Sequence, residues 1–152
     1  MNQLKKTFTV DELPIIAEQV LASASVMSRD RAIVVSLSGD LGAGKTTLVQ
    51  EIARSLGIKE NVISPTFVIM KRYGIPDPLC PYDDLIHIDA HRLESSKQLL
   101  NLGWEELISN PKNLIIIEWP ELVPECILEK GVLKVVLSHI DEQTRGISIE
   151  SL

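Results

Sequence analysis

The sequence predicts an α/β domain of three layers, in which helices cover both faces of a mostly parallel, mixed sheet. Short apolar runs typical of buried strands alternate along the chain with segments of helical periodicity, and this alternation is characteristic of parallel sheets. Two further strand candidates, 132–137 and 146–150, are close enough to pair as a C-terminal β-hairpin, which adds antiparallel strands to the sheet.

The first third of the chain contains signals for two helices and a buried strand. Thr9 and Glu12 have the spacing of a capping box, and the apolar residues behind them recur at helical intervals. A β-branched apolar run stops at Gly39, and an amphipathic segment stops at Gly57, a residue type that often ends helices. The predicted elements are a short strand at 7–9, a helix at about 10–25, a strand at 33–38 and a helix at 45–56.

The rest of the chain alternates short strands with a helix and a long loop. Pro76, Pro78 and Pro81 lie between residues 74 and 84, so this stretch is predicted to be a loop. Two apolar runs, each ending in an acidic residue, read as buried strands. The remaining predicted elements are strands at 67–73, 85–89 and 114–118, and a helix at 95–102 that Gly103 closes.

Length and composition favour a single domain over residues 1–152. Hydrophobic residues make up 45% of the chain and charged residues 24%, which is ordinary for globular proteins. No apolar run is long enough to span a bilayer and no secretory signal is evident, so a cytoplasmic protein without membrane contact is predicted. Cys80 and Cys126 form no CxxC pair, which argues against a zinc site or a disulfide framework.

The charge balance bears on possible partners. The formal net charge is −6 and the sequence pI is about 5.1. Proteins that grip nucleic acid directly draw most of their affinity from basic contacts to phosphate. Tight direct binding of nucleic acid by the isolated chain is therefore not expected.

A phosphate-binding motif is the strongest chemical signal in the sequence. Residues 39–46 read GDLGAGKT and fit the pattern G-x-x-x-x-G-K-[ST], between a predicted strand and a predicted helix. Glycines allow backbone N–H groups to turn toward phosphate oxygens, and the helix adds its positive N-terminal end. Lys45 is expected to reach the β- and γ-phosphates, and Thr46 to offer its hydroxyl to Mg²⁺. The residues predicted to contact the nucleotide are Leu41, Gly42, Ala43, Gly44, Lys45, Thr46 and Thr47.

Acidic residues close two of the predicted strands. Asp89 follows Leu85–Ile88 and Glu118 follows Leu114–Ile117. Ligands of open α/β sheets bind at the carboxyl ends of strands, and P-loop sites need a second acidic group on the metal side. Both acids are candidates for binding Mg²⁺, although either could instead cap the turn that follows it.

A hydroxyl residue lies in the loop between the motif helix and the next strand. Residues 64–67 read SPTF, and Thr66 at this place could sense a γ-phosphate, as the switch loops of nucleotide-binding proteins do. Because Ser-Pro also starts ordinary turns, the sequence alone supports this role only weakly.

Taken together, these segments resemble the TsaE (YjeE) family, the bacterial ATPases required for threonylcarbamoyladenosine modification of tRNA. The resemblance covers most of the chain from about residue 9 to 149, and its motifs occur in family order with family-like spacing. The phosphate motif is generic, whereas the other elements in this order are specific. The matching segments are GDLGAGKTT at 39–47, SPTF at 64–67, HIDAHRL at 87–93, LGWEE at 102–106 and EWP at 118–120.

The resemblance implies roles for individual residues. It implies that the fold is a P-loop NTPase-like three-layer domain, in which Lys45 and Thr46 hold phosphate and Mg²⁺. Glu118 would bind Mg²⁺ or orient the attacking water, with Asp89 beside it, and Thr66 would belong to the switch loop. Arg145 matches a C-terminal arginine that the family places near the nucleotide.

The resemblance also implies partners and a cofactor set. ATP with Mg²⁺ would be bound and hydrolysed, and the partners would be TsaB and TsaD, whose complex the hydrolysis is thought to reset. Two features depart from the family: His91 stands where a tyrosine is usual, and residues 98–102 lack a commonly present acid. The first puts the role of that hydroxyl in doubt, and the second could alter a partner contact.

Two other functions compete with this interpretation. A small-molecule P-loop kinase would need an acceptor pocket with arginine clamps, for which Arg92 and Arg145 are the candidates, and no lid insertion is visible. A GTP-dependent switch would be expected to carry an Asn-Lys-x-Asp segment, which the chain lacks.

Overall fold

A seven-stranded sheet runs through the computed structural model, which describes residues 3–40, 42–62, 69–128 and 130–152. In the described ranges the strands lie in the order β1-β7-β6-β2-β5-β4-β3. Their bounds are β1 Gln3–Thr9, β2 Ile33–Gly39, β3 Met70–Gly74, β4 Asp84–Asp89, β5 Asn113–Glu118, β6 Val132–His139 and β7 Thr144–Ser151. The helices are α1 Leu13–Ser25, α2 Lys45–Ser55, α3 Ser96–Asn101 and α4 Trp104–Ser109, with short 3₁₀ turns between some elements.

The middle of the sheet is parallel and its edges are antiparallel. Strands β6, β2, β5 and β4 run in the same direction. On one edge β3 pairs antiparallel with β4, and on the other edge β7 pairs antiparallel with both β6 and β1. The predicted mixed sheet and the C-terminal hairpin β6–β7 are therefore confirmed.

Two hydrophobic cores lie on opposite faces of this sheet, which confirms the three layers. Successive residues of a strand point to opposite faces, so neighbouring valines of β2 enter different cores. Val35 packs under α1 and α2, whereas Val34 packs on the side of α3 and α4. The helical members of the first core include Ile16, Val20, Leu48 and Ile52, and those of the second include Leu99, Trp104 and Leu107. None of the helices in the described ranges is long and apolar enough to cross a membrane.

The N-terminal capping box is present, but it caps a 3₁₀ turn. The Glu12 carboxylate accepts hydrogen bonds from the backbone N–H of Thr9 at 3.0 Å and from its hydroxyl at 3.2 Å. These bonds hold the pKa of Glu12 below its usual value. The helix begins at Leu13 rather than at residue 10, because Pro14 has no N–H to donate and fits only the first turn of a helix.

Other differences arise where pairing or packing overrides local signals. Strand β1 starts at Gln3 and not at residue 7, since its polar residues pair along the whole of β7. Helix α4 was not predicted, because six residues are too few to show a helical period. The predicted strand 67–73 corresponds to β3 at Met70–Gly74, and residues 63–68 lie outside the described part of the chain. The predicted loop 74–84 is irregular only over 75–83.

Replacing Trp104 is expected to destabilise the fold strongly. Its side chain is 2% exposed in the core under α3 and α4, and the indole N–H donates to the Cys126 carbonyl oxygen at 3.1 Å. Trp104→Ala should lower the free energy of unfolding by about 3–5 kcal/mol, because it leaves a large cavity. Urea denaturation measures this loss. Trp104→Phe keeps most of the volume and should lose less, so equal losses in the two variants would contradict the cavity argument.

Candidate functional site

A cavity of about 560 Å³ opens at the carboxyl ends of the central parallel strands, where β2, β4 and β5 stop. This is the edge at which open α/β sheets bind ligands. Its lining combines the glycine-rich loop (residues 39–46) and the start of α2 with the acids that end β4 and β5. The lining residues are Gly42, Gly44, Lys45, Thr46, Thr47, Asp89, His91, Arg92, Glu118, Trp119 and Arg145.

Most residues that the sequence singled out are brought together here. The exceptions are three: Ala43 turns into the hydrophobic core with 1% exposure, and Leu41 and Thr66 lie outside the described residues. The nucleotide contacts of Leu41, Ala43 and Thr66 therefore stay predictions, as do the roles of the residues that line the cavity. The sequence reasoning did not assign His91 or Trp119 to the site, and it considered Arg92 only as a possible clamp of a kinase.

The first glycine of the loop is required by the neighbouring strand. Gly39 pairs with Leu137 of β6 and has φ +153°. A Cβ atom built on Gly39 would lie 2.6 Å from the Leu137 carbonyl oxygen, a distance at which atoms overlap. Any side chain here would therefore push the glycine-rich loop away from the sheet.

The last glycine of the loop opens the start of α2. Gly44 is the residue before the helix and has φ +96°, a backbone conformation that side chains with a Cβ disfavour. Within the described residues, a Cβ built at Gly42 or Gly44 would meet nothing within 4 Å. The space above these two glycines is therefore open among the described residues. The first N–H groups of a helix have no intrahelical partners, so those of the 11-residue helix α2 are available to an anionic ligand.

Lys45 is held inside the site by the loop's own backbone. Its ammonium donates to the carbonyl oxygens of Gly39 at 2.5 Å and Asp40 at 3.2 Å, and the side chain is buried. The same Nζ lies 4.0 Å from the centroid of the Trp119 ring, within cation–π range. The cation is thus kept beside the open cradle by contacts that a stronger anionic partner can replace.

The two acids lie side by side. Asp89 and Glu118 are register partners on the parallel strands β4 and β5, whose backbones run about 4.8 Å apart in such sheets. The Asp89 Oδ1 atom accepts the backbone N–H of His91 at 3.0 Å, so Asp89 does cap the turn that follows it. Its other oxygen has no hydrogen-bond partner among the described residues and remains available to a cation.

Glu118 is tied to a buried histidine. Its Oε2 atom lies 2.5 Å from Nε2 of His87, and the two residues are 4% and 0% exposed. The contact was not foreseeable, because it joins residues that are 31 positions apart on different strands.

Trp119 adopts a left-handed backbone conformation directly after Glu118. Its φ is +59°, the one positive value for a residue other than glycine in the described ranges, and Pro120 follows. Bulky residues rarely occupy this region, and it costs of order 1–3 kcal/mol. The Trp119 N–H donates to the Leu37 carbonyl at 3.3 Å, and its ring lies 5.4 Å from that of His91. The strained turn places the ring against Lys45, and the partly buried side chain also packs against the core on the side of α3 and α4.

The two arginines at the cavity differ in their engagement. Arg145 donates to the backbone carbonyls of Asp141 at 2.6 Å and Thr144 at 3.1 Å. The same hairpin turn is closed by the Asp141 carboxylate, whose pKa is lowered by hydrogen bonds from the N–H of Gln143 and from Thr144. Arg92, in the turn after Asp89, makes no side-chain hydrogen bond or ion pair with any described residue. The five N–H donors of its guanidinium group thus have no partner in the described part of the chain.

Comparisons with known proteins show the family and the fold of the chain. The profile of the family described as "Threonylcarbamoyl adenosine biosynthesis protein TsaE" matches residues 10–147. The tRNA threonylcarbamoyladenosine biosynthesis protein TsaE of Rickettsia typhi is 36% identical over 118 residues, which are 77% of this chain and 76% of the relative.

Two matches to Bacillus subtilis proteins extend over almost the whole chain. The tRNA threonylcarbamoyladenosine biosynthesis protein TsaE of this species is 34% identical over 153 residues, which cover 100% of this chain and 88% of the relative. A crystal structure of YdiB from the same species superposes with a TM-score of 0.73 at 28% identity, covering 99% of this chain and 86% of that one. On these findings the chain belongs to the TsaE family of tRNA threonylcarbamoyladenosine biosynthesis proteins.

Proposed function

We propose that the protein is an ATPase that binds Mg-ATP at the cavity of the glycine-rich loop and acts in tRNA threonylcarbamoyladenosine biosynthesis. One observation carries the proposal. The open cradle at the start of α2, the buried cation Lys45 and the adjacent acids Asp89 and Glu118 line the same cavity. These are the parts that phosphoryl transfer needs: donors for phosphate, a cation and carboxylates on the metal side.

The residues present fit a Mg²⁺-bound triphosphate. Backbone N–H groups of the glycine-rich loop and Lys45 would hold the phosphates, and Thr46 would contribute a hydroxyl to the ion. Asp89 and Glu118 each have a carboxylate oxygen without a partner among the described residues. No group of three or more His, Cys, Asp or Glu side chains that could hold a metal occurs in the described ranges. This donor set suits Mg²⁺, which is usually bound by one or two carboxylates together with substrate phosphates.

In ATP hydrolysis, the oxygen of a water molecule bonds to the γ-phosphorus. The bond from that phosphorus to the oxygen bridging the β- and γ-phosphates breaks, and ADP leaves. Bound Mg²⁺ would neutralise charge that develops on the phosphoryl oxygens. Glu118 would bind the ion or orient the attacking water, while Lys45 would stabilise the negative charge of the phosphates. Thr66 would sense the γ-phosphate, and Arg145 would lie near the nucleotide.

A nucleotide-binding assay tests the proposal and its competitors. ATP, GTP and ADP are compared with and without Mg²⁺, and ATP is expected to bind in preference to GTP, since the chain lacks an Asn-Lys-x-Asp segment. Absence of ATP binding would overturn the proposal. Transfer of the γ-phosphate to a small hydroxyl compound instead of water would favour a kinase.

The proposed partners are TsaB and TsaD, and the tRNA is expected to be reached through them. The net charge of −6 gives the isolated chain little electrostatic attraction to RNA. Binding of tRNA below about 1 µM by the isolated chain at physiological salt would contradict this expectation. The cytoplasmic location predicted from the sequence belongs to the same proposal.

Turnover is expected to be slow for the protein alone and to change more than about tenfold with saturating TsaB–TsaD. Of the described cations at the cavity, Lys45 is needed for the phosphates and Arg145 is bonded to backbone carbonyls. The third, Arg92, has no contact with a described residue that would fix its guanidinium group on a γ-phosphate. In P-loop enzymes an arginine supplied in trans is worth about 10³–10⁵ in rate. Steady-state ATPase assays with partners from the same organism measure the change. Equal turnover with and without partners, together with equal partner affinity in ATP and ADP, would exclude the coupling.

A further inference from the structure

A buried histidine touches one of the two acids that the proposed function places on the metal side. His87 is fully buried in β4, and its Nε2 atom lies 2.5 Å from Oε2 of Glu118 on β5. With Glu118 ionised, the ring carries a proton on Nε2 and donates it in this hydrogen bond. Among the described residues, Glu118 has no other side-chain hydrogen-bond partner.

The position of His87 on its strand fits a role at the site. Side chains two residues apart on a strand share a face, so His87 and Asp89 point to the same side of the sheet. Since Asp89 is the register partner of Glu118, the histidine contacts Glu118 from one step further inside the sheet. The imidazole therefore lies behind the pair of acids, on the side away from the strand ends.

Packing alone does not account for a histidine at this place. Its neighbours along β4 and β5 are apolar, and a buried polar ring is costly unless it is hydrogen-bonded. The second ring nitrogen, Nδ1, has no partner within the residues that the structure describes. An apolar residue would avoid this cost, whereas only a side chain with a donor at the Nε2 position can bond the Glu118 carboxylate.

We infer that His87 is a positioning residue that holds the Glu118 carboxylate in one orientation, with Oε2 on the imidazole and Oε1 left for the Mg-nucleotide. This inference rests on the proposed function. A glutamate without such a bond distributes over several side-chain rotamers and must lose that freedom whenever the ion binds. Residues that orient the carboxylates of a metal site in this way typically change metal affinity or activity about 10–100-fold when replaced.

Two polar replacements of different reach separate positioning from packing. The side-chain amide nitrogen of His87→Gln can occupy the place of Nε2, whereas that of the shorter His87→Asn reaches only the place of Nδ1. Both variants bury one side-chain amide at this place in the core. Ile86→Val serves as a control for stability, because Ile86 is a buried neighbour on the opposite face of β4 and cannot contact Glu118.

The decisive readout is the gain in ADP affinity that Mg²⁺ brings, measured by calorimetry in Mg²⁺ and in EDTA, with kcat and KM for ATP alongside. We expect His87→Asn to lose about tenfold or more of this gain and of kcat, with the affinity in EDTA kept. His87→Gln should retain most of the Mg²⁺-dependent gain in ADP affinity and most of kcat. Ile86→Val should lower only the melting temperature.

Equal Mg²⁺ dependence and kcat in His87→Gln, His87→Asn and wild type would overturn the positioning role. So would equal losses in both variants that merely follow their melting temperatures. Failure of the proposed function has a different signature, because the wild-type protein would then bind no nucleotide or show no Mg²⁺ effect.

Discussion

Lys45→Ala is expected to weaken ATP binding by about 10²–10⁴-fold, since it removes charge-assisted hydrogen bonds to two phosphates at about 1.5–3 kcal/mol each. The lysine stands at the first position of α2 and is 6% exposed, with its ammonium on the Gly39 and Asp40 carbonyls. These carbonyls and the Trp119 ring hold the cation without neutralising it. Its charge therefore remains available to an anion, and calorimetric titration with ATP measures the loss.

The fold should survive this substitution, since Lys45 contributes its charge to the cavity and not to either hydrophobic core. Lys134→Ala is the matched control, because Lys134 lies exposed on β6, away from the cavity. The melting temperatures of both variants should stay near that of the wild type, and Lys134→Ala should bind ATP normally. Wild-type affinity in a folded Lys45→Ala protein would show that the glycine-rich loop does not bind the triphosphate.

Glu118→Ala is expected to lower Mg²⁺-dependent ATP hydrolysis by about 10²–10³-fold while changing nucleotide affinity much less, because one stabilising group at a transition state is typically worth a few kcal/mol. Glu118 ends the central strand β5 beside the glycine-rich loop, in register with Leu37 of β2 and Asp89 of β4. Thr46→Ala should show the same division between turnover and affinity. Steady-state turnover and equilibrium binding of ATP are measured on the same preparations.

Two controls accompany this prediction. Glu118→Gln keeps an oxygen that can accept the His87 hydrogen bond but removes the charge, so it separates loss of the carboxylate from disturbance of the buried pair. Glu121→Ala removes an exposed carboxylate three residues further along and should leave turnover unchanged. Undiminished hydrolysis in Glu118→Ala would transfer the metal-side role to Asp89.

Local signals predicted the elements around the site well because those elements are contiguous in the chain. The end of β2 and the start of α2 agree with the sequence to within a residue. Gly57 follows the helix as expected, where its N–H donates to the Arg54 carbonyl and the N–H of Ile58 donates to that of Ala53. Elements that depend on distant partners were predicted less well. The length of β1 follows from its pairing with β7, and α4 is stabilised by burial of Trp104.

Sequence alone determined β2, the glycine-rich loop and α2. The phosphate-binding motif consists of eight neighbouring residues, and their backbone freedom and charge are local properties of the chain. The sequence also nominated Asp89 and Glu118, since each directly follows an apolar run. Only the tertiary structure decided that these two acids are register partners, that His87 bonds Glu118 and that Trp119 covers Lys45. Such contacts depend on strand order and register. These result from packing over the whole sheet, so no local pattern in the sequence predicts them.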